Sequence, residues 1–219
     1  MQININNINM YVDVKGLGYP LILVHGNGED HHIFDELVSK LKDQYTCYMI
    51  DSRNHGLSSK TDDFSYETMV NDIVCLIDFF KLDKPGFIGF SDGGIIGLII
   101  GMKYPNLLSK MMVLGANIYP TGIKKRIRNL VHKAYNASKS PYLKMMIDEP
   151  NYTFQNLNDI KIPVYVIVGE NDVIHLSHTK AIYRHLKHAT LDIIKQKNHD
   201  NYVVHRDDLF PYIEAFFKP

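Results

Sequence analysis

The sequence predicts an α/β architecture: a mostly parallel central sheet with an antiparallel strand pair at its N-terminus, helices on both faces and a short helical cap. Three observations carry this. Continuous apolar runs such as "YPLILVHG" and "PVYVIVGE" lack the polar alternation of half-exposed strands, so they indicate strands buried on both faces. Between such runs lie stretches with apolar residues at helical spacing, such as Ile33, Phe34, Leu37, Val38 and Leu41. The two patterns alternate along most of the chain, which implies crossover connections in a layered sheet.

Residues 3–14 alternate polar and apolar with Asn-rich punctuation and open the chain as the antiparallel pair. "YPLILVHG" follows as a strand, "IFDELVSKLKDQY" as a helix, "TCYMID" as a strand and "YETMVNDIVCLIDFFKL" as a helix. "GFIGF" is the next strand, "GGIIGLIIGMKYP" a helix stopped at Pro105, and "SKMMVLGAN" a strand. Between Asn117 and Lys161 the pattern breaks into one or two short helices, read as a cap inserted at about 118–160 in a single domain spanning 1–219. "PVYVIVGE", "SHTKAIYRHLKH", "ATLDIIKQ" and "PYIEAFFK" close the chain as strand, helix, strand and helix.

Composition limits the function. A chain of 219 residues, 45% of them hydrophobic, buries roughly 70% of its unfolded surface and needs no staples. Its 24 basic residues balance its 24 acidic ones, which argues against a nucleic-acid partner. No apolar run is long enough to span a membrane, and the N-terminus lacks the basic and apolar regions of a signal peptide, so a cytoplasmic protein is expected. The two cysteines, Cys47 and Cys75, read as small buried hydrophobes rather than a disulfide or a metal pair. The eleven histidines include the pairs His31 with His32 and His175 with His178, but neither has a ligand framework, so no metal is expected and these read as surface or loop residues.

The stretch "GFIGFSDGGIIG" sets one serine among five glycines where a strand passes into a helix. Gly89, Ser91 and Gly93 form G-x-S-x-G in the context that motif requires. The alternative is an incidental serine in a glycine-rich turn. A serine hydroxyl needs a base, and the base an orienting carboxylate. Asp172 and His199 both follow later strands, in the loops at their carboxyl ends. Singly, each is an ordinary loop residue; together, in the order Ser91, Asp172, His199, they match the expected chain order. Glu170 and Asp200 are rival carboxylates. For the two oxyanion donors, the amide of Asp92 follows the nucleophile and that of Asn27 lies in "HGNG", with Gly28 as competitor and as substrate-binding backbone. "HGNG" lacks the third glycine of a dinucleotide loop and the Gly-Lys-Ser/Thr of a P-loop. His55 in "NHGLS" reads as a turn residue near the site.

With "LVHGNG", "DSRNHGLS", "GFSDGG", "VGENDVI" and "NHDN" in this order, the chain resembles the α/β-hydrolase fold superfamily over nearly its whole length. "GFSDGGIIGLIIGMKYP" followed by "KMMVLGAN" is similar to the biphenyl hydrolase-like branch, which includes valacyclovir hydrolase. The resemblance implies a serine hydrolase acting on a small carboxylic ester, with amino-acid esters, thioesters and lactones as candidates, and no cofactor. It also implies that Asp92 holds a substrate ammonium group; the alternative for Asp92 is a first-turn acid favoured by the helix dipole. Carbon–carbon hydrolysis, perhydrolysis and passive ligand binding stay open, since fold does not fix chemistry. The small cap implies an open or shallow pocket. The cap carries Lys124, Lys125, Arg126, Arg128, Lys133, Lys139 and Lys144 with no acid among them, either a solvated face or an anion-attracting entrance.

Overall fold

The computed structural model describes residues 1–218. Its strands are β1 (Gln2–Ile5), β2 (Ile8–Lys15), β3 (Tyr19–Val24), β4 (Tyr45–Ile50), β5 (Gly86–Phe90), β6 (Met111–Leu114), β7 (Val164–Gly169) and β8 (Ala189–Ile194). They form one sheet in the order β1-β2-β4-β3-β5-β6-β7-β8. β1 pairs antiparallel with β2, and β2 antiparallel with β4; every other pairing is parallel. The β1–β2 hairpin turns on Asn6 and Asn7, both at positive φ (45° and 63°), the backbone a two-residue hairpin loop requires and asparagine tolerates.

Among the described residues seven α-helices complete the frame: α1 (Asp35–Leu41), α2 (Tyr66–Phe79), α3 (Asp92–Lys103), α4 (Lys125–Ser138), α5 (Pro141–Asp148), α6 (Leu176–His185) and α7 (Phe210–Phe217). Side chains of the buried strands alternate between two cores. Ile22 and Val24 of β3, Phe87 of β5 and Val113 of β6 face α2, α3 and α6. Leu21, Leu23, Ile88 and Leu114 face the opposite core with α1 and α7. The period of two along each strand thus places one helical layer on each face, as the continuous apolar runs imply. Helix α3 is buried nearly all round, which its unbroken apolar sequence permits and which makes it the central helix of the frame.

The Ser65 side chain accepts from the Thr68 amide and caps α2. On the same helix Asp72 is buried and takes a two-pronged hydrogen bond from Arg53, 2.7 Å at both Nε and Nη2, and a third from Asn6 Nδ2 at 2.7 Å. Three chain segments, the first hairpin, the loop after β4 and α2, meet at this one carboxylate. Cys47 is buried in β4 and burial pushes its thiol up to about 12, whereas Cys75 on α2 is only half-buried, less than its apolar neighbours suggested.

The cap lies between β6 and β7. Helix α4 runs 14 residues, as long as α2 rather than short, and buries none of them, while α5 buries only Met145. Pro141 starts α5, where its missing N–H costs nothing. Among the described residues no helix is long and apolar enough to cross a membrane.

At Gly89 a Cβ would overlap the backbone of Gly93, so β5 and α3 approach each other only because a glycine stands there. Gly89→Ala is expected to lower stability by about 1–3 kcal/mol, the usual range of overpacking. A urea midpoint unchanged from the parent protein would show that the strand–helix approach relaxes freely.

Candidate active site

The turn joining β5 to α3 is where local sequence and tertiary packing meet. Ser91 sits there with φ +52° and ψ −110°, a conformation that side-chain-bearing residues rarely adopt. Its amide donates to Leu114 O at 2.8 Å and its carbonyl accepts from Ile95 N at 3.0 Å, so neighbouring strand and helix hold the turn on both sides. A Cβ at Gly93 would run into the backbone of Val24, so this glycine lets α3 press against the end of β3.

The structure brings Ser91, His199 and Asp172 into one hydrogen-bonded chain. His199 Nε2 lies 3.0 Å from Ser91 Oγ, and His199 Nδ1 lies 2.8 Å from Asp172 Oδ1. Asp172 accepts only, so Nδ1 carries the proton, Nε2 keeps a lone pair, and Ser91 donates to it. Asp172 is fully buried, and the same Oδ1 accepts the Ile174 amide at 2.8 Å. Gly115, at φ +60°, borders the pair closely: a Cβ there would stand 2.9 Å from His199 Cε1 and 3.2 Å from Asp172 Oδ2. Burial opposes charge on His199, but the hydrogen bond and charge of Asp172, with Glu29 and Asp200 further away, outweigh it and raise the imidazole above its ordinary value. Glu170 turns away from this chain and accepts the Gln196 amide at 3.0 Å. Asp200 lines the cavity beside the histidine.

The loop after β3 offers three amides, and two are occupied. Gly26 N donates to Glu29 Oε2 at 2.9 Å and Gly28 N to His55 Nε2 at 3.0 Å. Among the described residues neither Asn27 N nor Asp92 N donates to any group. Two neutral histidines pin this loop to the one after β4. His55 donates from Nδ1 to Arg53 O at 2.9 Å while accepting Gly28 N; His25 donates to Gly26 O at 2.7 Å and accepts Ser52 N at 3.0 Å. Burial, then the facing His55, depresses His25 to about 4, and burial lowers His55, which keeps both Nε2 atoms available as acceptors. Asp51 adds a third tie between the loops, accepting His31 N, His31 Nδ1 and Leu57 N at 2.7–2.8 Å.

Glu29 and Tyr66 were not singled out from sequence. Burial pushes Glu29 up to about 7. Tyr66 donates to Asp92 Oδ1 at 2.7 Å while Asn27 Nδ2 donates to Asp92 Oδ2 at 3.0 Å; burial raises the Asp92 carboxyl despite both bonds. "GNGED" put Glu29 two residues after Asn27, a signal that was there to use; Tyr66 lies far from the motifs and carried none. Two histidine expectations fail: His31 and His178 are buried, not surface or loop-exposed, because each answers an internal polar group, His31 the Asp51 carboxylate and His178 the Ile118 amide at 3.1 Å. Asp30, His31 and His32 place one donor atom each within 4.8 Å of one another. Their hydrogen bonds are those of a turn: Asp30 accepts His32 N, and the two Nδ1 atoms face Asp51 and Asp35.

These groups open on a cavity of about 500 Å³. Ile127, Leu143 and Met146 of the cap contribute one wall, and the cavity stays partly open to solvent. Among the described residues no Lys or Arg lines it, and four acidic side chains do: Glu29, Asp92, Glu149 and Asp200.

A strained serine turn at the carboxyl edge of a mostly parallel sheet, with a histidine and an acid delivered by later loops, defines a hydrolase-type α/β protein. The family model for the alpha/beta hydrolase fold matches residues 19–135, and the chain belongs to that family. Among characterised proteins it is similar to the serine hydrolase BPHL of Homo sapiens, at 25% identity over 99% of this chain and 86% of that protein. Among solved structures it is similar to an esterase from Exiguobacterium antarcticum, with TM-score 0.84 at 17% identity over 99% of this chain and 97% of that one. A meta-cleavage product hydrolase from Pseudomonas fluorescens IP01 gives TM-score 0.83, also at 17% identity over 99% and 97%.

The charges around His199 set a titration outcome. NMR of the His199 ring is expected to show a midpoint above the unperturbed 6.5. Where the Glu29 carboxyl is ionised, Glu29→Gln removes a negative charge that favours the imidazolium and should move that midpoint to lower pH; an unchanged midpoint would mean that the carboxyl is neutral where the histidine titrates.

Proposed function

We propose that the protein is a serine hydrolase of small carboxylic esters working through an acyl-enzyme, and that Ser91, His199 and Asp172 are its triad within a single domain. The observation that carries the reading is the unbroken chain from Ser91 Oγ to His199 Nε2 and from His199 Nδ1 to Asp172 Oδ1. As Ser91 attacks the ester carbonyl, His199 takes its proton, and the buried Asp172 holds the tautomer and stabilises the imidazolium. The carbonyl oxygen then carries negative charge. The amides of Asn27 and Asp92 meet it, a role supported by their having no other acceptor while Gly28 N is committed to His55. His199 returns the proton to the leaving alcohol, and water repeats the sequence on the acyl group. Every step uses side chains and amides of this chain.

The cavity wall bears on the substrate. Four carboxylates without a lysine or arginine favour an ester carrying an amino group. Asp92 is the anchor for that ammonium, and Tyr66 and Asn27 fix the orientation of its carboxylate; Gly28, expected to offer backbone to the substrate, gives its amide to His55 and is not among the residues lining the cavity.

Ser91→Ala is expected to abolish hydrolysis of p-nitrophenyl butyrate and labelling by a fluorophosphonate probe while leaving the thermal midpoint in place; retained turnover would move the nucleophile elsewhere. Asp172→Asn should cost on the order of 10⁴-fold in kcat, because the histidine loses its correct tautomer. For the ammonium anchor, kcat/KM for an α-amino ester is compared with that for its des-amino analogue. Asp92→Ala should collapse the ratio, and an unchanged ratio removes Asp92 from amine recognition.

A further inference from the structure

A second cavity of about 390 Å³ lies under the cap and shares two walls, Ile123 and Met146, with the one above Ser91. It is formed largely by apolar side chains, among them Val131 and Ile147, and one full charge enters it, Arg128 from the first turn of α4. Arg128 differs from the other cations of the basic cap. Lys124 is half-buried but does not line the chamber, Lys125, Arg126 and Lys133 are exposed, Lys139 stands over the Tyr135 ring, and Lys144 pairs with Asp148. Arg128 is half-buried; its Nε is shut off from solvent and has no hydrogen-bond partner, and among the described residues no carboxylate lies within ion-pair reach. Among the described residues no acceptor of this chain meets the Arg128 guanidinium, so the group that would pair with the part of it lining the chamber is an acceptor entering from outside.

We propose that this cap chamber is an anion subsite: Arg128 receives the carboxylate or phosphate end of a substrate whose short apolar spacer runs past Ile123 and Met146 toward Ser91. The guanidinium fork suits such planar or tetrahedral oxyanions, and Thr121, His132 and Asn151 are the other polar residues of the chamber wall. The two chambers then have opposite character, carboxylates around Ser91 and a cation beneath the cap, and the basic cap acts through one inward arginine rather than through its exposed lysines. The inference rests on the ester-hydrolase reading only for its placement beside Ser91.

The test measures binding in the hydrolysis-blocked Ser91→Ala protein by calorimetry at low salt. The probes are monomethyl adipate, mono-n-hexyl phosphate and, as the neutral control, methyl hexanoate. At least one anion is expected to bind about tenfold tighter than methyl hexanoate, the scale of one charge-assisted hydrogen-bonded pair. The better anion identifies the end group as carboxylate or phosphate. Arg128→Met in the same background should erase the difference, and Arg128→Lys, which keeps charge without the fork, should retain part of it. Equal binding of anions and neutral ester, or discrimination that survives Arg128→Met in a protein with parental circular dichroism, overturns the proposal. Should Arg128→Met fail to fold, the comparison of Arg128→Lys with the parent decides, since an arginine contact predicts weaker anion binding and unchanged neutral binding. Failure of the esterase reading shows separately, as absent ester turnover in the parent protein whatever the anions do.

Discussion

One backbone conformation governs the rest of this molecule: Ser91 is held at positive φ between the last residue of β5 and the first turn of α3. A residue with a Cβ stays there only when its surroundings determine the turn from several sides. The Leu114 carbonyl fixes its amide, and the absence of side chains at Gly89 and Gly93 lets strand, helix and the end of β3 close around it. The same closeness carries the loop after β3 up to the start of α3. Gly93 N donates to His25 O at 3.1 Å, and Asn27 bonds Asp92 through its side chain. The two amides with no internal acceptor are therefore neighbours of the serine as a consequence of how the turn is packed.

The loops around the serine are held by polar groups that are neutral or fully satisfied. His25 and His55 accept backbone amides, which a protonated ring cannot do, and burial keeps them uncharged. Asp51 keeps its charge because two amides and the His31 ring outweigh the cost of its burial. Removing any one acceptor would leave an amide of the loop after β3 or of the loop after β4 unpaired, a cost of about 1–3 kcal/mol. Rigidity at the site thus comes from many small obligations in the two loops after β3 and β4, to which the cap adds the Tyr142 hydroxyl on Asn54 O and the Glu149 carboxylate on the Tyr66 amide.

Charge is divided within the protein although the chain as a whole is balanced. Carboxylates collect around the serine cavity, where burial raises Glu29, Asp92 and Glu149. The cations of the cap remain outside that cavity. A net charge near zero is thus compatible with a strongly polarised interior, because electrostatic character at a site depends on which side chains the fold turns inward.

By itself the sequence determined the order of the elements, the strand-to-helix setting of Ser91, and the loops that hold Asp172, His199 and Asn27. Apolar period and glycine spacing are local properties, written into neighbouring residues. The tertiary structure alone decided that Gly28 N is taken by His55 while Asn27 N is not, and that Glu29 and Tyr66 reach the site. It also decided that His31 and His178 are buried and that Arg128, alone among the cap cations, turns into a cavity. Those outcomes depend on contacts between residues far apart in the chain, such as Tyr66 with Asp92 and His178 with Ile118, whose distances are fixed by packing and leave no periodic trace along the sequence.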